Sequence, residues 1–367
     1  MRGKKDLPSG LVQVALSCLL CTGLVGGSVQ IRRLCFLSIL LLYTYVLLFT
    51  ASDNPGNDFI SKLNFTALLF NASDYLLLCD PQHDLRLIGQ TKLISHETLI
   101  QRLWWALRLL ASPRGVGWNF ESTSHLPLRP PSSAREPKWK YVMKQVFWIV
   151  VYYPIWHMAS YWNRSNPRYG RDIVASNIDR TAFPWWWRVT VWATIVDYYA
   201  LMTIMQCAAS SITVAFCISD AQEWPPLFAS PLEAYTVRRY WGRMWHQLYR
   251  KIFASHSKYI ADCLHLPPKS KITTYFKLYL SFFISGVIHC AGDYGYLQEY
   301  SGGALRYFLL HACAITFEDG IIGLAKRAGF RTNLGWRIIG YFWVIIWFSV
   351  VLPEWIDSRL FWGLPFP

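Results

Sequence analysis

The stretch LYLSFFISGVIHCAGDYGYL, residues 278–297, is almost entirely apolar and aromatic. A helix needs about 20 mostly apolar residues to cross the hydrocarbon core of a bilayer, and this stretch has that length. Its only formally charged or readily protonated side chains are His289 and Asp293. The stretch therefore predicts a membrane-spanning helix that carries two polar groups inside it.

Further apolar stretches of similar length occur along the whole chain. They are Leu11–Ile31, Leu34–Ala51, Phe59–Cys79, Gln145–Trp162, Val189–Ser219, Ala304–Leu324 and Ile338–Leu352. Arg32 and Arg33 separate the first two, and Val189–Ser219 is long enough to be strongly tilted or broken near Ala208–Ser211. The predicted fold class is all-α, a polytopic bundle of about eight transmembrane helices. We expect one integral-membrane domain over residues 1–367.

The composition agrees with a membrane protein. Hydrophobic residues make up 53% of the 367 positions and charged residues only 16%, against roughly 25% charged in soluble domains. Disorder is excluded and a soluble enzyme is disfavoured. The chain has 36 basic and 22 acidic residues, a formal net charge of +14. Such a surplus can bind nucleic acid, anionic lipid or an anionic small molecule. Here it is divided among membrane-adjacent loops, which disfavours nucleic acid.

Two basic segments, 80–140 and 220–277, are predicted to be cytoplasmic loops, because Lys and Arg are enriched in loops on that side of a membrane. The second loop contains the sequence RYWGRMWHQLYR, residues 239–250, which predicts one amphipathic helix. On such a helix the basic side chains would fall within an arc of about 60°. This row consists of Arg239, Arg243, His246 and Arg250. It could anchor the protein on anionic lipid or dock a phosphorylated cosubstrate, and both interpretations stay open.

His289 is the most informative ionisable group, since burying a charge in a membrane helix costs about 2.5–3.5 kcal/mol. Helical spacing puts Ser285, His289 and Asp293 on one stripe. Asp293 could orient the imidazole and favour its charged form, the arrangement that a general base needs. The alternative is a histidine that only hydrogen-bonds to a neighbouring helix.

A second polar cluster, His311, Glu318 and Asp319, lies in another apolar stretch. His311 and Glu318 are seven residues apart and share a helix face. The cluster could line a polar cavity, or it could hold the bundle together by hydrogen bonds. The chain has no Walker A loop, GxSxG elbow or HExxH motif, so ATP-driven transport, serine hydrolysis and zincin chemistry lack support. No metal site is predicted.

Three motifs together resemble one enzyme family. They are RGVGWN at 114–119, YWGRMWH at 240–246 and SGVIH at 285–289. These motifs occur in the same order and at similar positions along the chain in the wax-synthase-like branch of the membrane-bound O-acyltransferases. The chain most closely resembles the fungal members that acetylate terpenoid and meroterpenoid alcohols. The resemblance covers most of the chain. It implies an endoplasmic-reticulum enzyme that moves an acyl group from acyl-CoA to a lipophilic hydroxyl.

The resemblance also implies roles for individual residues. The catalytic base of the family maps onto His289, with Asp293 as its possible orienting partner, and a polar residue that is Asn in many relatives maps onto His246. The residues expected to contact acyl-CoA are Arg239, Arg243, Trp245 and Arg250. Acetyl-CoA is expected as a cosubstrate, with no permanently bound cofactor. The expected partners are a lipophilic alcohol and membrane lipid, and no oligomeric state is predicted.

Two alternatives remain open. The chain could be a wax-ester synthase that uses long-chain acyl-CoA and fatty alcohols. It could instead be a proton-coupled transporter in which buried His, Asp and Glu side chains relay protons. The lack of a recognisable internal repeat disfavours the transporter.

Overall fold

The computed structural model describes residues 8–52, 54–121, 136–165, 185–300 and 302–360. Residues 122–135 of the predicted loop 80–140 therefore lie outside the described residues. Within the described ranges the regular structure is helical, with no β-strand, and Leu87 and Trp118 form an isolated bridge. The all-α fold class is confirmed. The longer helices are α1 (Ser9–Val25), α2 (Val29–Phe49), α3 (Pro55–Ser73), α4 (Leu99–Leu110), α5 (Lys138–Ser165), α6 (Trp192–Ala215), α7 (Arg250–Cys263), α8 (Lys271–Leu297), α9 (Gly303–Arg327) and α10 (Leu334–Leu360).

Among the described residues, three helices are long and apolar enough to cross a membrane. They are Val29–Phe49, Gly303–Arg327 and the part of α10 over Leu334–Pro353. Helix α1 is equally apolar in character but has only 17 residues. These helices do not confirm the expected count of about eight spans, which stays a prediction.

The boundary between the first two helices differs from the prediction. Helix α1 ends at Val25 and α2 begins at Val29, so Arg32 and Arg33 lie inside α2 instead of separating two spans. Arg32 is buried, and its guanidinium donates to the Asp80 carboxylate at 2.8 Å. Because a buried charge needs a partner of opposite sign, this long-range ion pair allows the arginine to lie within the helix.

The stretch Val189–Ser219 contains no break near Ala208–Ser211. Helix α6 is continuous through that region, and a 3₁₀ helix at Trp185–Val191 precedes it. Asp197, the charged residue of the stretch, accepts a hydrogen bond from Asn163 at 3.2 Å. The extra length beyond one crossing is thus partly 3₁₀ helix. Of the two alternatives, the break is contradicted and the strong tilt stays a prediction.

The predicted amphipathic helix over 239–250 is also not continuous. Val237–Arg239 is a single helical turn, Tyr240–Met244 is a π-helical turn, and the backbone is extended at Trp245 before α7 begins at Arg250. A regular 100° spacing therefore ends at the π turn. The four basic side chains expected to form one row do not lie on one helix, and that expectation was wrong.

Gln247 explains why the helix breaks there. Its side-chain amide donates to the carbonyl oxygen of Trp241 at 2.9 Å and to that of Trp245 at 2.6 Å. These carbonyls would otherwise seek amide partners further along a continuous helix. A side chain that supplies the donors stabilises the break.

The described chain divides into two compact units. The first contains the described residues of Met1–Glu121 and Leu248–Ala312, and the second contains those of Ser122–Gln247 and Cys313–Phe366. The single domain over residues 1–367 stays a prediction.

In the first unit, α8 packs closely on α3. A Cβ added at Gly292 would lie 2.8 Å from the Phe59 ring, and one at Gly295 would lie 2.6 Å from the carbonyl oxygen of Asp58. Only glycine permits that approach. The close contact fixes the C-terminal half of α8, which carries His289.

Candidate active site

His289 is half-buried in the middle of α8. Its Nδ1 lies 2.8 Å from the carbonyl oxygen of Ser285, one turn earlier. Because a carbonyl oxygen only accepts, Nδ1 carries the proton and Nε2 carries the lone pair. The ring also packs on Phe308, with 4.4 Å between centroids. Local backbone and a neighbouring ring thus fix both the tautomer and the orientation that a base acting through Nε2 needs.

Asp293 lies one turn after His289 and is 1% exposed. Helix α8 is unbroken, so Ser285, His289 and Asp293 share one face as expected. The partner of the His289 Nδ1 is nevertheless a backbone carbonyl on the preceding turn. The role of Asp293 as orienting group stays a prediction.

Gly286 controls how closely α9 approaches this face of α8. A Cβ at position 286 would lie 2.8 Å from Cδ1 and 3.0 Å from Cα of Leu305. Leu305 lies one turn before Phe308, the residue that packs on His289. The missing side chain at Gly286 therefore lets Phe308 reach the imidazole.

We expect Gly286→Val to lower kcat by about 100-fold, because a displacement near 1 Å at a catalytic group has an effect of that size. Labelled product formed per unit of inserted protein would measure the change. Gly323→Ala, also on α9, is the matched control, since no described heavy atom lies within 4 Å of its added Cβ. Wild-type kcat in the Gly286 variant would contradict this role.

His246 lies in the second unit, directly after the π-helical turn and Trp245. Its ring is 6.1 Å from Phe228 and 5.5 Å from Trp245, centroid to centroid. Phe228 stacks on Tyr199 at 4.3 Å, and Trp245 stacks on Tyr240 at 5.5 Å. Aromatic packing therefore holds Trp245 and His246 in place. His246 and His289 belong to different units.

An arginine cluster, defined here as Arg239, Arg243 and Arg337, surrounds Tyr235 and Glu233 in the second unit. Arg239 bonds to the Glu233 carboxylate and lies 4.3 Å above the Tyr235 ring, while Arg337 lies 5.2 Å from the same ring. Arg243 is 3.7 Å from the Glu233 carboxylate. Burial, followed by the charges of Arg243 and Arg337, lowers the pKa of Arg239. The Glu233 carboxylate pairs with two of these guanidinium groups, and Arg337 adds a third beside the Tyr235 ring. Positive charge therefore exceeds negative charge in the cluster, which suits it to attract an anion.

Sequence reasoning found part of this cluster. Arg239 and Arg243 were expected to act together, and the structure does bring them to one carboxylate. Arg337 was missed, because it lies almost 100 residues further along the chain and no local pattern links it to Tyr235. Arg250 begins α7 in the first unit, where burial lowers its pKa.

Glu318 and Asp319 of α9 bind the helical turn Val237–Arg239, which comes directly before the YWGRMWH sequence. Glu318 accepts hydrogen bonds from the backbone N–H of Val237 at 2.6 Å, from that of Arg238 at 3.1 Å, and from the Trp343 indole at 2.7 Å. The Asp319 carboxylate accepts two from the Arg238 guanidinium, one of them at 3.0 Å. Glu318 therefore caps the N-terminus of the Val237–Arg239 turn, although it lies about 80 residues further along the chain. Of the two interpretations of this cluster, these bonds support the structural network.

His311 belongs to the first unit and is fully buried. Its Nδ1 lies 2.8 Å from the Tyr307 carbonyl oxygen, and its ring stacks against Phe282 at 6.3 Å. These contacts are those of a packed core histidine.

A buried ion pair that sequence reasoning did not foresee joins Lys251 to Asp74. The two side chains are 14% and 2% exposed. The Lys251 ammonium also lies 4.4 Å from the Tyr75 ring and 5.1 Å from that of Phe120. The ion pair connects α7 to the π-helical turn at Asp74–Leu78. The Lys251 ammonium also contacts Phe120, which directly follows the RGVGWN sequence at 114–119. Asp74 was visible as a charge inside an apolar stretch, but its partner was not.

We expect Lys251→Met to destabilise the protein by about 3–5 kcal/mol, the usual effect of leaving one charge of a buried pair alone. The midpoint of thermal unfolding in detergent would show the loss. Lys258→Met is the matched control: Lys258 forms an exposed pair with Asp262 on the same helix at 2.6 Å, and its removal should leave the midpoint unchanged. Equal midpoints for the two variants would contradict a structural role for Lys251.

Several known proteins are similar to this chain. Residues 224–310 match the model of the membrane bound O-acyl transferase family. The chain is 35% identical to the acetyltransferase eriL of Hericium erinaceus, over 98% of this chain and 93% of that protein. It is 30% identical to the acetyltransferase ple2 of Rhodocybe pseudopiperita, over 90% and 85%. It is 31% identical to the acetyltransferase aurG of Calcarisporium arbuscula, over 76% and 70%. No solved structure matches.

Proposed function

The chain belongs to the membrane bound O-acyl transferase family, and we propose that it transfers the acetyl group of acetyl-CoA to a hydroxyl of a lipophilic terpenoid or meroterpenoid. Membership confirms the family expected from the three motifs, and it establishes an acyltransferase. An acyltransferase is therefore favoured over the transporter alternative. The proposal of an acetyl donor is supported by the relatives, all three of which are named acetyltransferases.

The single observation that carries the chemistry is the environment of His289. Its Nδ1–H is bound to the Ser285 carbonyl, so Nε2 is the nitrogen that can take a proton. We propose that Nε2 accepts the hydroxyl proton as the alcohol oxygen attacks the thioester carbonyl. The C–S bond then breaks, the proton passes to the departing CoA sulfur, and the ester and free CoA remain. An apolar setting also excludes water that would hydrolyse the thioester.

The arginine cluster is our candidate for binding the phosphates of CoA, because guanidinium groups bind phosphate through paired hydrogen bonds. Arg239 is held by Glu233 and Tyr235, whereas Arg243 and Arg337 are more exposed. These two are therefore the ones that would contact the donor first. Contacts from Trp245 and Arg250 stay predictions, as does the role of His246 in stabilising the oxyanion or positioning the donor.

We expect Arg243→Gln combined with Arg337→Gln to raise the KM for acetyl-CoA by about tenfold, since a charge-assisted hydrogen bond contributes about 1.5–3 kcal/mol. The KM for the alcohol should change little. Steady-state kinetics with each substrate varied in turn would measure both values. Arg331→Gln, an exposed neighbour on the chain, is the control. Equal increases for both substrates would instead favour the lipid-anchor interpretation of these arginines.

The whole proposal is tested by identifying a product. Microsomes from yeast that express the chain would receive labelled acetyl-CoA and a panel of terpenoid alcohols, and any ester would be identified by mass spectrometry. A parallel assay with palmitoyl-CoA and fatty alcohols addresses the wax-ester alternative. A preference for palmitoyl-CoA would overturn the acetyl proposal while leaving the acyltransferase intact. We further propose that the enzyme resides in the endoplasmic reticulum, where fractionation of the microsomes would find it.

A further inference from the structure

Helix α4 has an exposed apolar face that its own unit does not cover. Trp105, Ala106 and Leu109 are buried in the core of the first unit. The neighbouring face, which we call the outer face, consists of exposed large side chains, and Ile100 is 79% exposed. At 100° per residue this face spans an arc of about 140°. Its members are Leu99, Ile100, Leu103, Trp104 and Leu107.

Helix α4 is held against the end of α1 by Arg102, whose guanidinium donates to the Val25 carbonyl. In the short turn Pro81–Asp84, the Gln82 amide donates to the carbonyls of Leu24 and Val25 at 2.8 and 2.9 Å. These carbonyls end α1 only a few residues before the apolar span Val29–Phe49 begins. Helix α4 therefore lies beside the N-terminal end of this candidate span.

Positive charge accompanies the outer face. Ile100 and Trp104 of that face also line a cavity of about 640 Å³, together with Lys92, Arg108 and the acidic Glu97. Trp105 lines the same cavity, and its buried indole N–H has no hydrogen-bond partner among the described residues. The site thus combines an apolar surface with two cations.

We propose that α4 lies in the plane of the membrane, with its outer face among the acyl chains of one leaflet and the cavity holding the phosphate of an anionic phospholipid at Lys92 and Arg108. A large exposed apolar patch on a protein marks an interaction surface. An amphipathic helix with Trp on the apolar side and basic groups beside it is the form that binds a lipid surface. The segment expected as a cytoplasmic loop then includes a membrane-bound helix. This inference does not depend on the acyl-transfer activity.

Photo-crosslinking of the full-length chain in nanodiscs tests the outer face. A benzophenone amino acid would replace Ile100 in one variant and Lys258, an exposed polar residue of α7, in the control. With alkyne-tagged phospholipid in the disc, we expect lipid capture from position 100 to exceed that from position 258 several-fold. Capture of protein peptides instead, either within one chain or between two copies, would overturn the proposal, as would equal lipid capture at the two positions.

A second comparison tests the headgroup. The variant that combines Lys92→Gln with Arg108→Gln would carry the same probe at position 100, in discs with tagged phosphatidylserine or tagged phosphatidylcholine. We expect the probe-bearing chain with Lys92 and Arg108 intact to capture the anionic lipid about 25-fold more, since each of the two basic residues near an anionic surface contributes about fivefold. In the double variant the two lipids should be captured equally, with unchanged elution in gel filtration. An unchanged preference in the double variant would overturn the headgroup assignment.

Discussion

His289→Ala is expected to abolish ester formation in microsomes while the protein stays inserted in the membrane. A general base contributes about 10² to 10⁴ in rate, and alanine offers no group that could replace Nε2. The side chain forms its contacts within one turn of α8 and with Phe308, so its removal should leave the fold intact. Product formed from labelled acetyl-CoA at saturating concentrations of both substrates would measure the loss.

The matched control is His83→Ala, which removes an exposed histidine from a short helical turn at Pro81–Asp84. That variant should retain wild-type turnover. Near-normal turnover of the His289 variant, at an equal amount of inserted protein, would remove His289 from the mechanism. The acyltransferase assignment would survive that result, because it is based on the family match.

Glu318→Ala is the second change for which we expect a large effect, a fall of about 10- to 100-fold in kcat/KM for acetyl-CoA. The substitution leaves the N–H groups of Val237 and Arg238 and the Trp343 indole without their acceptor. Each buried donor left unsatisfied costs about 1–3 kcal/mol, so the turn that presents the arginine cluster should loosen. Kinetics with acetyl-CoA varied would detect the change mainly as a higher KM.

Glu318→Gln separates positioning from general destabilisation. A glutamine keeps one oxygen acceptor, so we expect a KM between those of the wild type and the alanine variant. Glu299→Ala, an exposed acid on the chain, should change neither KM nor the unfolding midpoint. If Glu318→Ala lowered the unfolding midpoint but left both KM values unchanged, its role would be structural only. If it changed nothing, the cap would be dispensable.

The parts of the site that the sequence predicted are those encoded by local spacing. Helix α8 spans the expected stretch, and the four-residue interval from Ser285 to His289 and Asp293 placed these residues on one face before any contact was known. What spacing could not show was which group holds the imidazole. A carbonyl is present at every residue, so the sequence carries no special signal for the bond to Ser285.

The errors have physical causes that an apolar pattern does not show. The segment 239–250 has the apolar period of a continuous helix, but the side-chain amide of Gln247 stabilises a break in it through two nearby carbonyls. Arg32 was expected between two helices, yet it lies inside α2, where Asp80 pairs with it from 48 residues away. Local propensity and pattern give way to a side-chain hydrogen bond in the first case and to a tertiary contact in the second.

The bond between the His289 Nδ1 and the Ser285 carbonyl has a consequence for the electrostatics of a base in apolar surroundings. In a triad the imidazole is held by a carboxylate, and burying an unpaired carboxylate is costly. A peptide carbonyl from the same helix holds the ring with a neutral dipole instead. This bond therefore adds no net charge around the imidazole, and no side-chain substitution at position 285 short of one that distorts the helix can remove it.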